Sequence, residues 1–139
     1  MSKTYHLLRN YIFSALVIIT IWILCFIDIP ETPLSKFSLI DKWTHFAMYG
    51  GLCSVIWMEY LYSHRKDTSI SSLKKDMFLW GFLMPFLMGG LIEILQANCT
   101  NGRRSGDWLD FLADGIGVLI GQIIGILLAR FLSRGKKDN

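Results

Sequence analysis

Four apolar runs, at 11–27, 43–62, 77–97 and 108–132, leave this chain few ways to fold. Each is close to the roughly 20 residues that carry a helix across the hydrocarbon core of a bilayer. In hydrocarbon the backbone must satisfy its own polar groups, which helices do internally. The runs predict an all-α, integral membrane four-helix bundle with short loops, in one domain of 139 residues. Charge content agrees: 18% of the residues are charged, against about 25% in a typical soluble domain. Lys3 and Arg9 precede the first run as in a secretory signal. Cys25-Phe26-Ile27-Asp28 offers no small-residue cleavage site, so the run reads as a retained helix.

Positive charge sets the orientation. The N-terminal flank (Lys3, Arg9), the second loop (Arg65, Lys66, Lys74, Lys75) and the tail (Arg130, Arg134, Lys136, Lys137) share one side. The other side holds Lys36, Lys42, Arg103 and Arg104, so the balance is ten against four. That predicts a multi-pass protein with both termini in the cytoplasm. Trp43 and Trp108 then mark the outer interface, and Tyr60, Tyr62 and Trp80 the inner one. In the first loop, 34–40 is amphipathic and suited to lie along the membrane surface. The cationic residues flank apolar runs rather than forming a stripe with interleaved aromatics, which argues against nucleic acid. Cys25, Cys53 and Cys99 make no CxxC and no pairing framework; the first two read as small packing residues.

Charges within apolar runs cost about 2.5–3.5 kcal/mol each at a helix centre and require partners or a purpose. Under this topology they gather in one leaflet. Asp41, Lys42 and His45 begin the second helix, Glu93 and Gln96 end the third, and Asp107, Asp110 and Asp114 begin the fourth. Nothing comparable is expected at the inner ends, and an inner half without polar residues argues against a transport path. Asp41, His45 and Tyr49 are four apart and share a face over about 12 Å. Glu93 and Gln96 share another face. Asp107, Asp110 and Asp114 share a third, and Gly117, Gly121 and Gly125 carry it inward. Small residues at every fourth position let helix backbones approach closely in lipid.

Asp107 reads as the N-cap of the fourth helix and Asp41 as that of the second, with Lys42 an interface anchor. Glu93, Asp110 and Asp114 lie inside apolar runs and, with His45 and Arg104, form the candidate functional cluster. Five carboxylates against Lys42, Arg103 and Arg104 leave a formal charge of −2 before His45 is counted. Protons, a cationic His45 or a bound cation must balance it. One histidine among carboxylates suits Mg²⁺ or Ca²⁺ better than zinc.

At these residues the chain resembles the VanZ-like family of small integral membrane proteins. The matching pieces are Asp41-Lys42-Trp43-Thr44-His45-Phe46 with Tyr49, Glu93-Ile94-Leu95-Gln96, Arg104, and 110–117, read Asp-Phe-Leu-Ala-Asp-Gly-Ile-Gly. The similarity covers nearly all of the chain from Pro30 on. It departs at Asp114, where the family pattern generally has Asn. The resemblance implies a cell-envelope membrane protein whose family is associated, through its naming member, with low-level teicoplanin resistance. It carries Asp41, Lys42, His45, Tyr49, Glu93, Gln96, Arg104 and Asp110 over as matched residues and supplies no reaction.

The leading expectation is an outward-facing polar pocket that binds, and in its stronger form modifies, the headgroup of a membrane lipid or lipid-linked envelope precursor. Arg104 and Lys42 would hold an anion, Glu93 and Asp110 would orient His45 or hold a cation, and Tyr49, Gln96, Asp41 and Asp114 would complete the lining. The alternatives are a metal- or His-dependent membrane transferase or hydrolase, with His45, Glu93 and Asp110 catalytic, and a structural protein whose cluster only fixes helix packing. Neither GxSxG nor HExxH is present.

Overall fold

The computed structural model describes residues 10–27, 38–64, 75–103 and 106–134, with side chains to Phe131. The described residues are all helical apart from turns. Helix α1 is Ile12–Phe26, α2 is Ser38–Ser63, α3 is Lys75–Cys99, and α4 is Trp108–Arg134. Side-chain bonds link the start of α1 to the end of α2, and the start of α2 to that of α4, so successive helices alternate in direction. Two of them, Lys75–Cys99 and Trp108–Phe131, are long and apolar enough to cross a membrane. Only 28% and 33% of these two spans is buried by protein. A soluble core helix would be buried along most of its length. The first loop up to residue 37, the charged second loop, the N-terminal flank and the tail lie outside the described residues, as do most of the charges that set the orientation.

The glycine stripe of α4 packs on α2. A Cβ on Gly121 would lie 2.7 Å from Cys53 Cβ and 2.8 Å from the Gly50 carbonyl oxygen. A Cβ on Gly117 would run into the Phe46 carbonyl, and one on Gly125 into the Trp57 ring. This close backbone approach supplies dispersion contact between the two helices. Tyr49, Leu52, Cys53, Ile56 and Trp57 of α2 meet Val118 of α4 and Ile92 of α3 in the core.

Helix α3 is not regular. Its segment Phe78–Leu83 is π-helical, immediately before Pro85. Proline has no N–H to give the carbonyl four residues back, and its ring crowds that carbonyl. That carbonyl belongs to Gly81, and Cys53 of α2 donates its Sγ–H to it at 3.1 Å. Gln122 of α4 completes the repair. It accepts from Trp57 Nε1 at 2.9 Å and donates to the Met77 carbonyl at 3.2 Å.

The helix ends correct several expectations. Helix α2 begins at Ser38, so Asp41 sits inside its first turn rather than capping it, where a carboxylate still favours the helix dipole. Tyr60 is buried and donates to Asp76 at 3.3 Å, so it is no belt residue, whereas Tyr62 and Trp80 are exposed. The end of the bundle remote from His45 is not free of buried charge either. Tyr11 offers α1 no side-chain cap, and Glu59 of α2 takes that role. It accepts from Phe13 N at 2.8 Å, from Ser14 N at 3.0 Å and from the Ser14 hydroxyl. Those N–H groups are among the four that a helix start leaves without internal partners. Glu59 and Gln122 therefore put polar groups in the half expected to have none, with their oxygens engaged in holding helices.

Replacing Gly121 with Leu is expected to force α2 and α4 apart and to cost about 1–3 kcal/mol or more of stability. Gly51→Ala, whose added methyl meets nothing within 4 Å, is the matched control and should melt as the wild type does. Thermal unfolding in detergent followed by size exclusion checks both; equal losses would remove the glycine contact as the organising one.

Candidate functional site

The face of α4 that carries the glycines also carries Asp114, Asp110 and Asp107 toward its start, and α2 lays His45 and Lys42 against them. His45 Nδ1 lies 3.0 Å from Asp114 Oδ1 and 3.9 Å from Glu93 Oε1. Lys42 Nζ donates to Asp107 Oδ2 at 2.6 Å and to Asp110 Oδ1 at 2.7 Å. The arrangement is graded in depth. Asp41 is exposed, Lys42 and Asp107 are half-buried, and His45, Glu93, Asp110, Asp114 and Tyr49 are buried, Asp114 and Tyr49 completely.

Two glycines admit the third helix. A Cβ on Gly89 would lie 2.7 Å from Asp114 Oδ2, so only glycine lets that carboxylate lie against α3. Gly106 packs its Cα on the Glu93 carbonyl and on Ala97, where a Cβ would clash. That brings the Asp107 N–H to Glu93 Oε2 at 2.8 Å, which fixes the glutamate and turns its other oxygen inward. Asp107 also caps α4 as its position in the sequence indicates, accepting from Leu109 N at 2.9 Å. The turn between α3 and α4 uses Asn101 at φ 52° and Gly102 at φ 79°, a left-handed pair suited to ending a helix.

No family model, curated protein or solved structure matches this chain. The chemistry of the site is read from its atoms.

Of the residues singled out from sequence, Asp41, Lys42, His45, Tyr49, Glu93, Asp110 and Asp114 come together. Gln96 does not join them: it donates to the Cys25 carbonyl at 2.7 Å and so ties the end of α1 to α3. Lys42 is no membrane anchor and no free anion holder, since two carboxylates share its ammonium. Arg104 lies outside the described residues, and Arg103 donates its Nε–H to the Thr100 carbonyl at 3.2 Å. Asp107 belongs to the cluster as well as to the cap. Its distance of three and seven residues from Asp110 and Asp114 was the available signal. Gly89 and Gly106 carried none, because their role depends on which helices meet.

Among the described side chains shown in contact at the cluster, five carboxylates gather around one lysine, a formal charge of −4 with His45 neutral. Three buried oxygens have no hydrogen-bond partner among the described residues: Glu93 Oε1, Asp114 Oδ2 and the Tyr49 hydroxyl. A buried polar atom left unpaired costs about 1–3 kcal/mol, so three in one place mark a site short of something.

Lys42 makes the rim of the cluster pH-dependent. Its hydrogen bond holds the Asp107 carboxyl below the ordinary carboxylate value of 3.8. Burial alone would lower Lys42, but the bonds to Asp107 and Asp110 outweigh it and hold the amine above its usual 10.5. A depressed carboxylate stabilises the fold above its unfolded pKa and ceases to as pH falls through the folded one. A raised amine stabilises below its unfolded pKa and ceases to as pH rises through the folded one. Lys42→Met should cost about 1–3 kcal/mol across the neutral range, between the cost of a surface pair and a buried one. That deficit should shrink as pH drops through the acidic range below 3.8. Melting temperatures of wild type and variant from pH 3 to 8 test this, and a deficit independent of pH would contradict it.

Proposed function

We propose that this chain is a small multi-pass membrane protein, of the VanZ-like kind, that binds the headgroup of a lipid or lipid-linked envelope precursor in the cluster formed by α2, α3 and α4. All four helices span the bilayer, both termini face the cytoplasm, and the cluster opens to the outer leaflet. The observation that carries this reading is the collection of buried groups with unmet oxygens just inside an exposed tryptophan rim. Trp43 and Trp108 are 66% and 70% exposed at that end of the molecule. Tryptophan settles at the headgroup level, so the half-buried Lys42 and Asp107 beside them lie where a headgroup would enter.

The acidic balance shapes the ligand. Lys42 is already neutralised, so an anionic headgroup would be held by Arg104 or through a cation, while an amine-bearing headgroup would meet Asp41, Asp107 and Asp110 directly. A role in glycopeptide susceptibility follows from the envelope setting that the VanZ-like resemblance implies.

One observation favours a second reading, a membrane hydrolase or transferase. Asp114 stands at 3.0 Å from His45 Nδ1, the place of a carboxylate that orients a general base. His45→Ala would then abolish turnover of the bound lipid and leave its binding intact.

Native mass spectra of the detergent-purified chain, beside Arg104→Ala and Asp110→Asn, test the proposal. A discrete lipid-sized adduct is expected on the wild type and missing from at least one folded variant. A bare protein mass for all three would overturn headgroup binding.

A further inference from the structure

The geometry points to a resident divalent cation held by His45, Glu93 and Asp114 at the floor of the cluster. This deepens the headgroup reading and rests on it for its use, because the ion would supply the positive charge that Lys42 has given to Asp107 and Asp110.

Spacing is the first support. One ligand atom from each of the three residues lies within 4.8 Å of the other two. An ion with bonds of about 2.1 Å sets adjacent ligands roughly 3.0 Å apart and opposite ones roughly 4.2 Å apart. His45 Nδ1 stands at 3.0 Å from Asp114 Oδ1 and 3.9 Å from Glu93 Oε1, both inside that window.

Unmet bonding capacity is the second, and it is independent of the acidic count. Glu93 Oε1, Asp114 Oδ2 and the Tyr49 hydroxyl are buried without a hydrogen-bond partner among the described residues. Glu93 is only 7% exposed, and its Oε2 is pinned by the Asp107 amide, so Oε1 is aimed inward by the backbone. Tyr49 is fully buried one turn below His45. An ion between His45 Nδ1, Asp114 Oδ1 and Glu93 Oε1 would engage the idle glutamate oxygen and offset the charge of both carboxylates.

Donor chemistry narrows the class. An imidazole nitrogen with two buried carboxylates suits a first-row transition ion such as Mn²⁺ or Zn²⁺. Ca²⁺ wants six to eight oxygens, and Mg²⁺ prefers a near-octahedral shell of oxygens, which a histidine nitrogen does not supply. This shifts the preference from the Mg²⁺ or Ca²⁺ that composition favours, because the histidine is placed within bonding range rather than merely near.

The test uses the full chain in detergent, stripped with EDTA, loaded separately with Mn²⁺ and Zn²⁺, desalted and analysed for bound metal. The wild type should retain about one ion per chain, and Glu93→Gln and Asp114→Asn should each weaken retention about tenfold or more. Glu59→Gln, at the far end of the bundle, serves as the control and should keep the ion. Should Asp114→Asn fail to fold, Glu93→Gln and a metal-dependent rise in the wild-type melting temperature decide the matter. Negligible retention by the wild type, or equal retention in both site variants, overturns the cation site. Native mass spectra of the same samples separate the two readings. A lipid adduct without metal removes the ion and leaves headgroup binding, whereas metal without an adduct does the reverse.

Discussion

The approach of α4 to α2 is the contact on which the remaining features depend. Gly117 and Gly121 bring the two backbones together, and nothing larger than hydrogen fits at either. Residues 107, 110, 114, 117, 121 and 125 lie on one face of a single helix, so packing and charge cannot be separated. Seating the glycines against Phe46, Gly50 and Cys53 necessarily carries the aspartates to His45 and Lys42. The glycine part of the stripe provides the contact energy. The aspartate part uses that contact to hold buried carboxylates against His45 and Lys42.

The same dependence explains how α1 is attached. It is the shortest of the helices, 15 residues, and its surface is largely exposed apolar side chains. Its two ends are instead bonded by other helices: Glu59 of α2 takes the free N–H groups at the start, and Gln96 of α3 takes a carbonyl in the last turn. Both partners stand on helices already fixed by the α2–α4 contact. Caps borrowed from neighbours satisfy backbone groups that the helix ends leave without internal partners.

What was legible in the sequence follows from how local each signal is. Four helices and the stripe on α4 could be read because apolar length and a period near 3.6 are properties of a single segment. The gathering of Asp41, Lys42, His45, Glu93, Asp110 and Asp114 was also legible, since alternating helices bring those ends together. Individual roles were not. Gln96 was expected to line the site and instead caps α1, while Glu59 and Gln122 were passed over because each is a single polar residue in a run without companions. The local sequence makes Lys42 an anchor or an anion holder, because nothing local reveals that Asp107 and Asp110 face it across the interface. The π segment had a visible cause in Pro85, but its extent depends on Cys53 and Gln122, which lie far away in sequence.

The polar groups buried in this bundle divide by whether their bonds are complete. Glu59 has both oxygens engaged, the Gln122 oxygen and nitrogen each have partners, and Gln96 donates to a helix end. These side chains complete the helices they touch, and a packing role accounts for them fully. Around His45 the pattern differs. Glu93 is tethered through one oxygen and idle through the other, Asp114 likewise, and the Tyr49 hydroxyl has no bond among the described residues. A network that only fixed helix order would close such bonds, as the other buried polar side chains among the described residues do, because each open one costs stability. Among the described residues open valence is confined to one end, on groups tethered by their other atoms, and that is the pattern the proposed binding site requires.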